Sequence, residues 1–196
     1  MLEEEYQATH RPKEAQRNLP PLEVPFDYVI RDARQEDLPD IREIYNHYVM
    51  NSTVTFDEKP MSLGAWRTKF AQVTKAKMPI LVAESANGNI LGFAYVYPWK
   101  EKAAYRFTVE DSIYLGPAST GKGLGKVLMG ALIDSSRAAG LKEIIAVIAD
   151  QGADASIQMH RNFGFKEVGR MGKVGFKFDR WLGTVMLQKS LKKNDR

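Results

Sequence analysis

A chain of 196 residues, 44% hydrophobic and 27% charged, has the size and composition of one ordinary domain. Its 28 basic and 24 acidic residues are mixed along the chain, with no basic stripe interleaved with aromatics, and no apolar run approaches the roughly 20 residues that span a bilayer. Neither nucleic acid nor membrane is therefore expected as a partner, and the charged N-terminus in place of an apolar leader points to the cytoplasm. The absence of cysteine excludes a disulfide framework, a thiolate zinc site and a cysteine nucleophile, and three scattered histidines (His10, His47, His160) argue against a metal centre.

Residues 1–26 contain Pro12, Pro20, Pro21 and Pro25 and no hydrophobic period, the pattern of a flexible arm. A single domain is expected over 27–191, with a charged tail at 192–196. Phe26 to Arg31 alternates as a strand, and Leu38, Ile41, Ile44, Tyr45 and Tyr48 recur at helical spacing behind a cap near Asp37. Leu63, Trp66, Phe70 and Val73 mark a second helix. The runs ILVAES and ILGFAYVY are joined through Asn87-Gly88, a hairpin signal, so they are expected to pair antiparallel.

A strand from Thr108 to Leu115 feeds a glycine-rich loop, after which Leu124, Val127, Leu128, Ala131 and Leu132 share a helix face that ends near Gly140. IIAVIA reads as a buried strand, Ala155 to Arg161 as a short helix, Gly164-Phe165 as the opening of another strand, and Val185 to Leu187 as the last. The order is strand, two helices, three strands, helix, strand, helix, two strands: an α+β or α/β domain around a mixed sheet.

The loop GPASTGKGLGK, from Gly116 to Lys126, nearly fits the phosphate-binding pattern GxxxxGK[ST], but Gly123 stands where a Ser or Thr would ligate Mg²⁺. In the shifted frame, Gly121, Gly123 and Gly125 alternate into a helix start. Bare amides at a positive dipole end suit a pyrophosphate without a metal, with Lys122 and Lys126 adding charge at the rim.

Ile113-Tyr114-Leu115 followed by Thr120-Gly121-Lys122-Gly123-Leu124-Gly125 resembles the acetyl-CoA signature of the GCN5-related N-acetyltransferases (GNATs). The stretches NHYVMNSTVTF, PWKEKAAYRFTVEDSIYL, AVIADQGADASIQMHRNFGF and VGFKFDRWLG are similar in order and spacing to the phosphinothricin and methionine sulfoximine acetyltransferases, from about Tyr28 to Leu191. The resemblance implies the GNAT fold, a central mixed, mostly antiparallel sheet of about six or seven strands flanked by about four helices. It also implies acetyl-CoA as co-substrate, no metal, and a homodimer.

Ile113, Tyr114, Leu115, Gly121 to Lys126, Ala153 and Ser156 are then the expected cofactor contacts, with Thr120 and Ala153 departing from the usual family residues. An amine attacks a thioester only as the free base, and Glu110 stands at the position of the family's proposed general base. His160, in MHRNFGF, stands where the phosphinothricin group places the donor of a proton to the leaving thiolate. Backbone amides near Leu115 are expected to polarise the thioester oxygen.

The acceptor implied is a small zwitterion. Lys100, Lys102 and Arg106 would neutralise its carboxylate, with Phe56, Trp99 and Tyr105 walling the pocket. The VGFKFDRW stretch, with Lys177, Phe178, Arg180 and Trp181, completes either this pocket or a dimer contact. Without a cysteine, and with no Ser-His-Asp arrangement evident, direct transfer in a ternary complex is expected. The alternatives are a GNAT acting on a polyamine, an aminoglycoside or a protein N-terminus, and a non-catalytic acetyl-CoA-binding module.

Overall fold

In the computed structural model, which describes residues 27–192, the elements follow the expected order. They are β1 (Tyr28–Asp32), α1 (Leu38–Asn51), α2 (Leu63–Lys75), β2 (Ile80–Ser85), β3 (Ile90–Pro98), β4 (Thr108–Leu115), α3 (Leu124–Ala138), β5 (Glu143–Ala149), α4 (Asp154–Asn162), β6 (Lys166–Lys177) and β7 (Arg180–Ser190). The expected arm and most of the tail lie outside the described residues.

The strands form one seven-stranded sheet in the order β1-β2-β3-β4-β5-β7-β6, within which only β4 and β5 run parallel. Period-two alternation along β3 sends Phe93 and Tyr95 to one face, against Leu38, Ile41 and Trp66 of α1 and α2. It sends Ala94 and Val96 to the other, against Leu124, Leu128 and Leu132 of α3. Each helix thus buries its apolar stripe against one face of the sheet, which fixes the sheet as the frame of the site.

Three local expectations are corrected. Asp37 does not cap α1 through its side chain; its carboxylate accepts from the Arg34 amide at 2.7 Å and takes a two-pronged grip from Arg31 at 2.7 and 2.8 Å. The guanidinium of Arg31, six residues earlier in β1, outcompetes the helix amides, because a charge-assisted bidentate pair is the stronger bond. The first strand begins at Tyr28, not Phe26, which lies outside the described residues.

The last strand is not three residues but eleven, and VGFKFDRW is not a loop. It is the end of β6, a two-residue turn at Phe178 and Asp179, and the start of β7, with Lys177 paired to Arg180. Both turn residues hold left-handed backbone, φ 51° and 57°, the geometry that lets a two-residue turn follow the twist of its strands. Without a glycine there, and with β6 exposed along nearly its whole length at the sheet edge, neither turn chemistry nor alternation announced the hairpin.

Candidate active site

β4 and β5 pair only from Thr108 with Glu143 to Glu110 with Ile145. Beyond that point β5 continues beside β7, β4 continues beside β3, and the two strands part. The Gly116 amide donates to Leu91 O at 2.8 Å, so backbone alternation turns the amides of Ile113 and Leu115 the other way, toward the gap. Tyr48 of α1 donates its hydroxyl to Leu115 O at 2.7 Å, fixing the orientation of that peptide. A cavity of about 540 Å³ fills the gap.

The glycine loop closes one end of it. Gly121 and Gly123 adopt left-handed backbone, φ 75° and 80°, and a Cβ built on either meets nothing within 4 Å, leaving open space before their amides. Alternating left-handed glycines ahead of a helix start make a concave nest of N–H groups, and the first amides of α3 have no partner within the helix. This cradle fits a metal-free pyrophosphate. Thr120, Gly121 and Gly125 line the cavity together with Ile113, Tyr114, Leu115, Ala153 and Ser156. Lys122 and Lys126 are exposed on the loop and first turn, whereas the Leu124 side chain is fully buried in the core and offers only its amide.

Glu110 also lines the cavity, at the last residue pair before the strands part. Burial raises its pKa above the ordinary carboxylate value, the neighbouring charge of Asp111 adds to the rise, and Lys100 and Lys69 partly oppose it. Adjacent strand residues point to opposite faces. Glu110 shares its face with its cross-strand partner Tyr97, on the side of α1 and α2, and Asp111 shares the other with Val96.

Asp111 is what holds His160. Sequence reasoning missed it, although the alternation of TVEDS places it opposite Glu110. His160 is only 4% exposed; its Nε2 lies 2.9 Å from Asp111 Oδ2 and its Nδ1 2.7 Å from the Ser156 carbonyl. A carbonyl only accepts, so Nδ1 carries a proton. Burial opposes charge on the imidazole, and the hydrogen bond and charge of Asp111 outweigh it, leaving the pKa raised. Ser156 Oγ stands 3.5 Å from Nδ1, which gives the row Ser156, His160, Asp111 the membership of a nucleophilic triad. Its proton inventory is wrong for one: the nitrogen facing the hydroxyl is already protonated and bonded, so it cannot take a second proton.

The other expected residues are divided. Phe56 lines the cavity, its ring lying where a Cβ on Gly175 of β6 would come within 2.5 Å of Phe56 Cδ2. Trp99, Lys100, Lys102, Tyr105 and Arg106 do not line it. Lys100 lies over the Trp99 ring at 4.5 Å, and Arg106 is exposed, bonded to Ala103 O and stacked over Phe107. In the stretch after β3, Trp99 is half-buried, whereas Lys100, Lys102, Tyr105 and Arg106 are exposed.

Lys177, 2% exposed, donates to Ser52 O and Thr55 O, both at 2.8 Å. It ties the β6–β7 hairpin to the loop that carries Val54, Thr55 and Phe56 into the cavity wall. Phe178, in the turn, and Trp181, just after it in β7, remain exposed. Tyr48, which helical spacing marked only as packing, and Thr55 and Met159, which no pattern singled out, also line the cavity. Among the described residues, no group of three or more acidic or histidine side chains is placed to hold a metal ion, and no helix is long and apolar enough to cross a membrane.

A mixed sheet parted between two parallel strands, with a nest of glycine amides at the mouth of the gap, is the architecture of a transferase that takes its acyl group from a CoA thioester. The pattern of the acetyltransferase (GNAT) domain matches residues 30–186. The phosphinothricin N-acetyltransferase of Alcaligenes faecalis is 40% identical over 85% of this chain and 84% of its own. The L-methionine sulfoximine/L-methionine sulfone acetyltransferase of Pseudomonas paraeruginosa is 43% identical over 83% and 94%. The crystal structure of a GNAT superfamily phosphinothricin acetyltransferase from Sinorhizobium meliloti, in complex with acetyl-CoA, superposes with TM-score 0.81 at 40% identity, covering 86% of this chain and 90% of that one. The chain belongs to the GNAT acetyltransferases, in the family of phosphinothricin and methionine sulfoximine N-acetyltransferases.

Proposed function

We propose that the protein transfers the acetyl group of acetyl-CoA directly to the α-amino group of a small amino-acid analogue such as phosphinothricin or methionine sulfoximine. The observation that carries this reading is the position of Glu110, where β4 and β5 part, beside the amides of Ile113 and Leu115 and in one cavity with the glycine loop. The nest at Gly121 and Gly123 holds the pyrophosphate, and the α3 amides and the rim lysines add to its grip. The Leu115 amide, turned toward the gap by the alternation of β4, polarises the thioester carbonyl as negative charge builds on its oxygen.

Glu110 takes a proton from the acceptor's ammonium, directly or through one water, and the free amine then attacks the thioester carbonyl. A raised pKa makes it a stronger base than an exposed carboxylate, nearer to the amine it serves. His160 enters as the acid. The departing thiolate takes its Nε2 proton, which leaves the bond to Asp111 that had kept the buried imidazole charged, while Nδ1–H stays on the Ser156 carbonyl. Direct transfer is supported by the missing cysteine and by the unusable Ser156–His160 geometry.

The family resemblance to homodimers is supported by one edge of the molecule. Val168, Met171, Val174, Phe176, Phe178 and Trp181 are large apolar side chains of the β6–β7 hairpin, each 42–55% exposed. An apolar edge of this kind favours pairing with a second copy. Sedimentation equilibrium is expected to return twice the chain mass of 22.1 kDa; a single-chain mass across micromolar concentrations removes the dimer from the proposal.

A cytoplasmic location accords with this use of acetyl-CoA. The decisive assay is thiol release from acetyl-CoA with phosphinothricin, methionine sulfoximine, methionine sulfone, spermidine and an aminoglycoside. Saturable turnover confined to the zwitterions is expected. Turnover with only the cationic amines would leave the cofactor assignment standing and replace the substrate class.

A further inference from the structure

We infer that Lys69, a residue of α2 outside every motif of the family resemblance, binds the carboxylate of the acceptor amino acid. Its Nζ lies 5.5, 5.2 and 5.6 Å from the ring centroids of Trp66, Tyr95 and Tyr97, and 3.2 Å from Tyr95 Oη. Three aromatic faces hold an ammonium in place without neutralising it. No carboxylate of the described residues stands within ion-pair distance of it, unlike Arg31, Arg161 and Arg170, which all have acidic partners.

The sheet face is right as well as the charge, with Lys69 and its aromatic cage, like Lys100, standing outside the residues that line the cavity. Tyr97 is the cross-strand partner of Glu110 and Tyr95 that of Ser112, so the caged ammonium stands over the same sheet face as Glu110. Lys69 and Lys100 are the cations whose fields reach Glu110. Lys102 and Arg106, exposed on the following turn, are not among them. In an α-amino acid one carbon separates the amine from the carboxylate, so a base that takes the amine proton requires the anion grip close by. Lys69 satisfies this requirement from the α2 side, with Lys100 as the outer cation. Polyamines and aminoglycosides lack the anion and meet only repulsion there.

The inference rests on the proposed acetyl transfer to an amino acid, and the test separates the two. Kinetics are measured with L-methionine sulfone and with its carboxamide, which keeps the amine and loses the charge. The wild type is expected to prefer the acid. Lys69→Met should lower that preference by about 10- to 100-fold, the worth of a charge-assisted hydrogen bond. The loss should appear in KM for the acid relative to the carboxamide, with KM for acetyl-CoA unchanged and Lys69→Arg restoring most of the preference; the lost field of Lys69 on Glu110 acts on both substrates alike and cancels in the ratio. The unchanged KM for acetyl-CoA also shows that the variant is folded. A preference that Lys69→Met leaves intact, no preference in the wild type, or equal losses for acid and carboxamide each overturn the role of Lys69 alone. Failure of the wild type to acetylate either compound overturns the acceptor reading and this inference with it.

Discussion

Glu110→Gln lowers kcat by about 10² to 10⁴-fold at neutral pH, the range for loss of a positioned general base, with little change in acetyl-CoA affinity. The physical basis is the buried carboxylate at the parting of β4 and β5. Because burial raises its pKa, the acid limb of the wild-type rate profile lies above the ordinary carboxylate range: activity is lost as pH falls through the raised value and Glu110 becomes neutral. In the variant that limb disappears, while the alkaline limb set by loss of the His160 proton stays. Stability separates this from misfolding. A carboxyl whose folded pKa is raised stabilises the fold fully only below its unfolded value and loses that contribution as pH rises, so the neutral amide leaves Tm at pH 7 unchanged or higher. A kcat within a factor of three of wild type across the pH range would remove Glu110 from the mechanism.

Gly123→Val weakens acetyl-CoA binding by at least about 100-fold. Its φ of 80° is left-handed, a region that costs an L-residue roughly 1–2 kcal/mol and a β-branched one more. The open space before the residue means that the added methyls clash with no protein atom. The cost therefore falls on the loop's conformation: the backbone leaves the left-handed region, the nest loses the convergence of its amides, and the fold survives. Gly125→Ala is the control. Its Cβ would meet Met159 Sδ at 3.4 Å and Leu115 Cδ1 at 3.6 Å, ordinary contacts, so affinity should change by only a few-fold. Calorimetric titration with acetyl-CoA reads both variants; wild-type affinity in Gly123→Val would mean that the phosphate is held elsewhere.

The helices were legible because each has one buried face, and the inner strands because they are apolar on both. Phe93 and Tyr95 alternate with Ala94 and Val96 and write a two-sided strand into the sequence, as Leu124, Leu128 and Leu132 write a helix stripe. The β6–β7 hairpin was not legible, since its turn is made by Phe178 and Asp179 and its outer strand buries almost nothing. The site divides along the same line. Glu110 and the glycines lie inside a local pattern, whereas Asp111, Lys177 and Lys69 take their meaning from partners brought close by the fold: His160, the carbonyls of Ser52 and Thr55, and a cage built from a helix and a strand. In the PWKEKAAYR segment, whose composition suggested an acceptor pocket, Trp99 is half-buried, Lys100 acts on Glu110 from outside the cavity lining, and Lys102, Tyr105 and Arg106 are exposed.

In the proposed mechanism the base, Glu110, and the partner of the acid, Asp111 with its histidine, are neighbouring residues of one strand, and a single backbone pleat separates them. The division of labour is thereby a matter of parity. If β4 slid by one residue against β3, Asp111 would face the acceptor side and Glu110 the imidazole, with every chemical group still present and each addressing the wrong proton. The pairing that runs from Gly92 with Leu115 to Pro98 with Val109 blocks that exchange. Gly92 is a specific guard, because a Cβ there would come within 2.7 Å of Leu115 Cδ2 and 2.9 Å of Tyr114 O. The register of the sheet is in this sense part of the enzyme's catalytic apparatus.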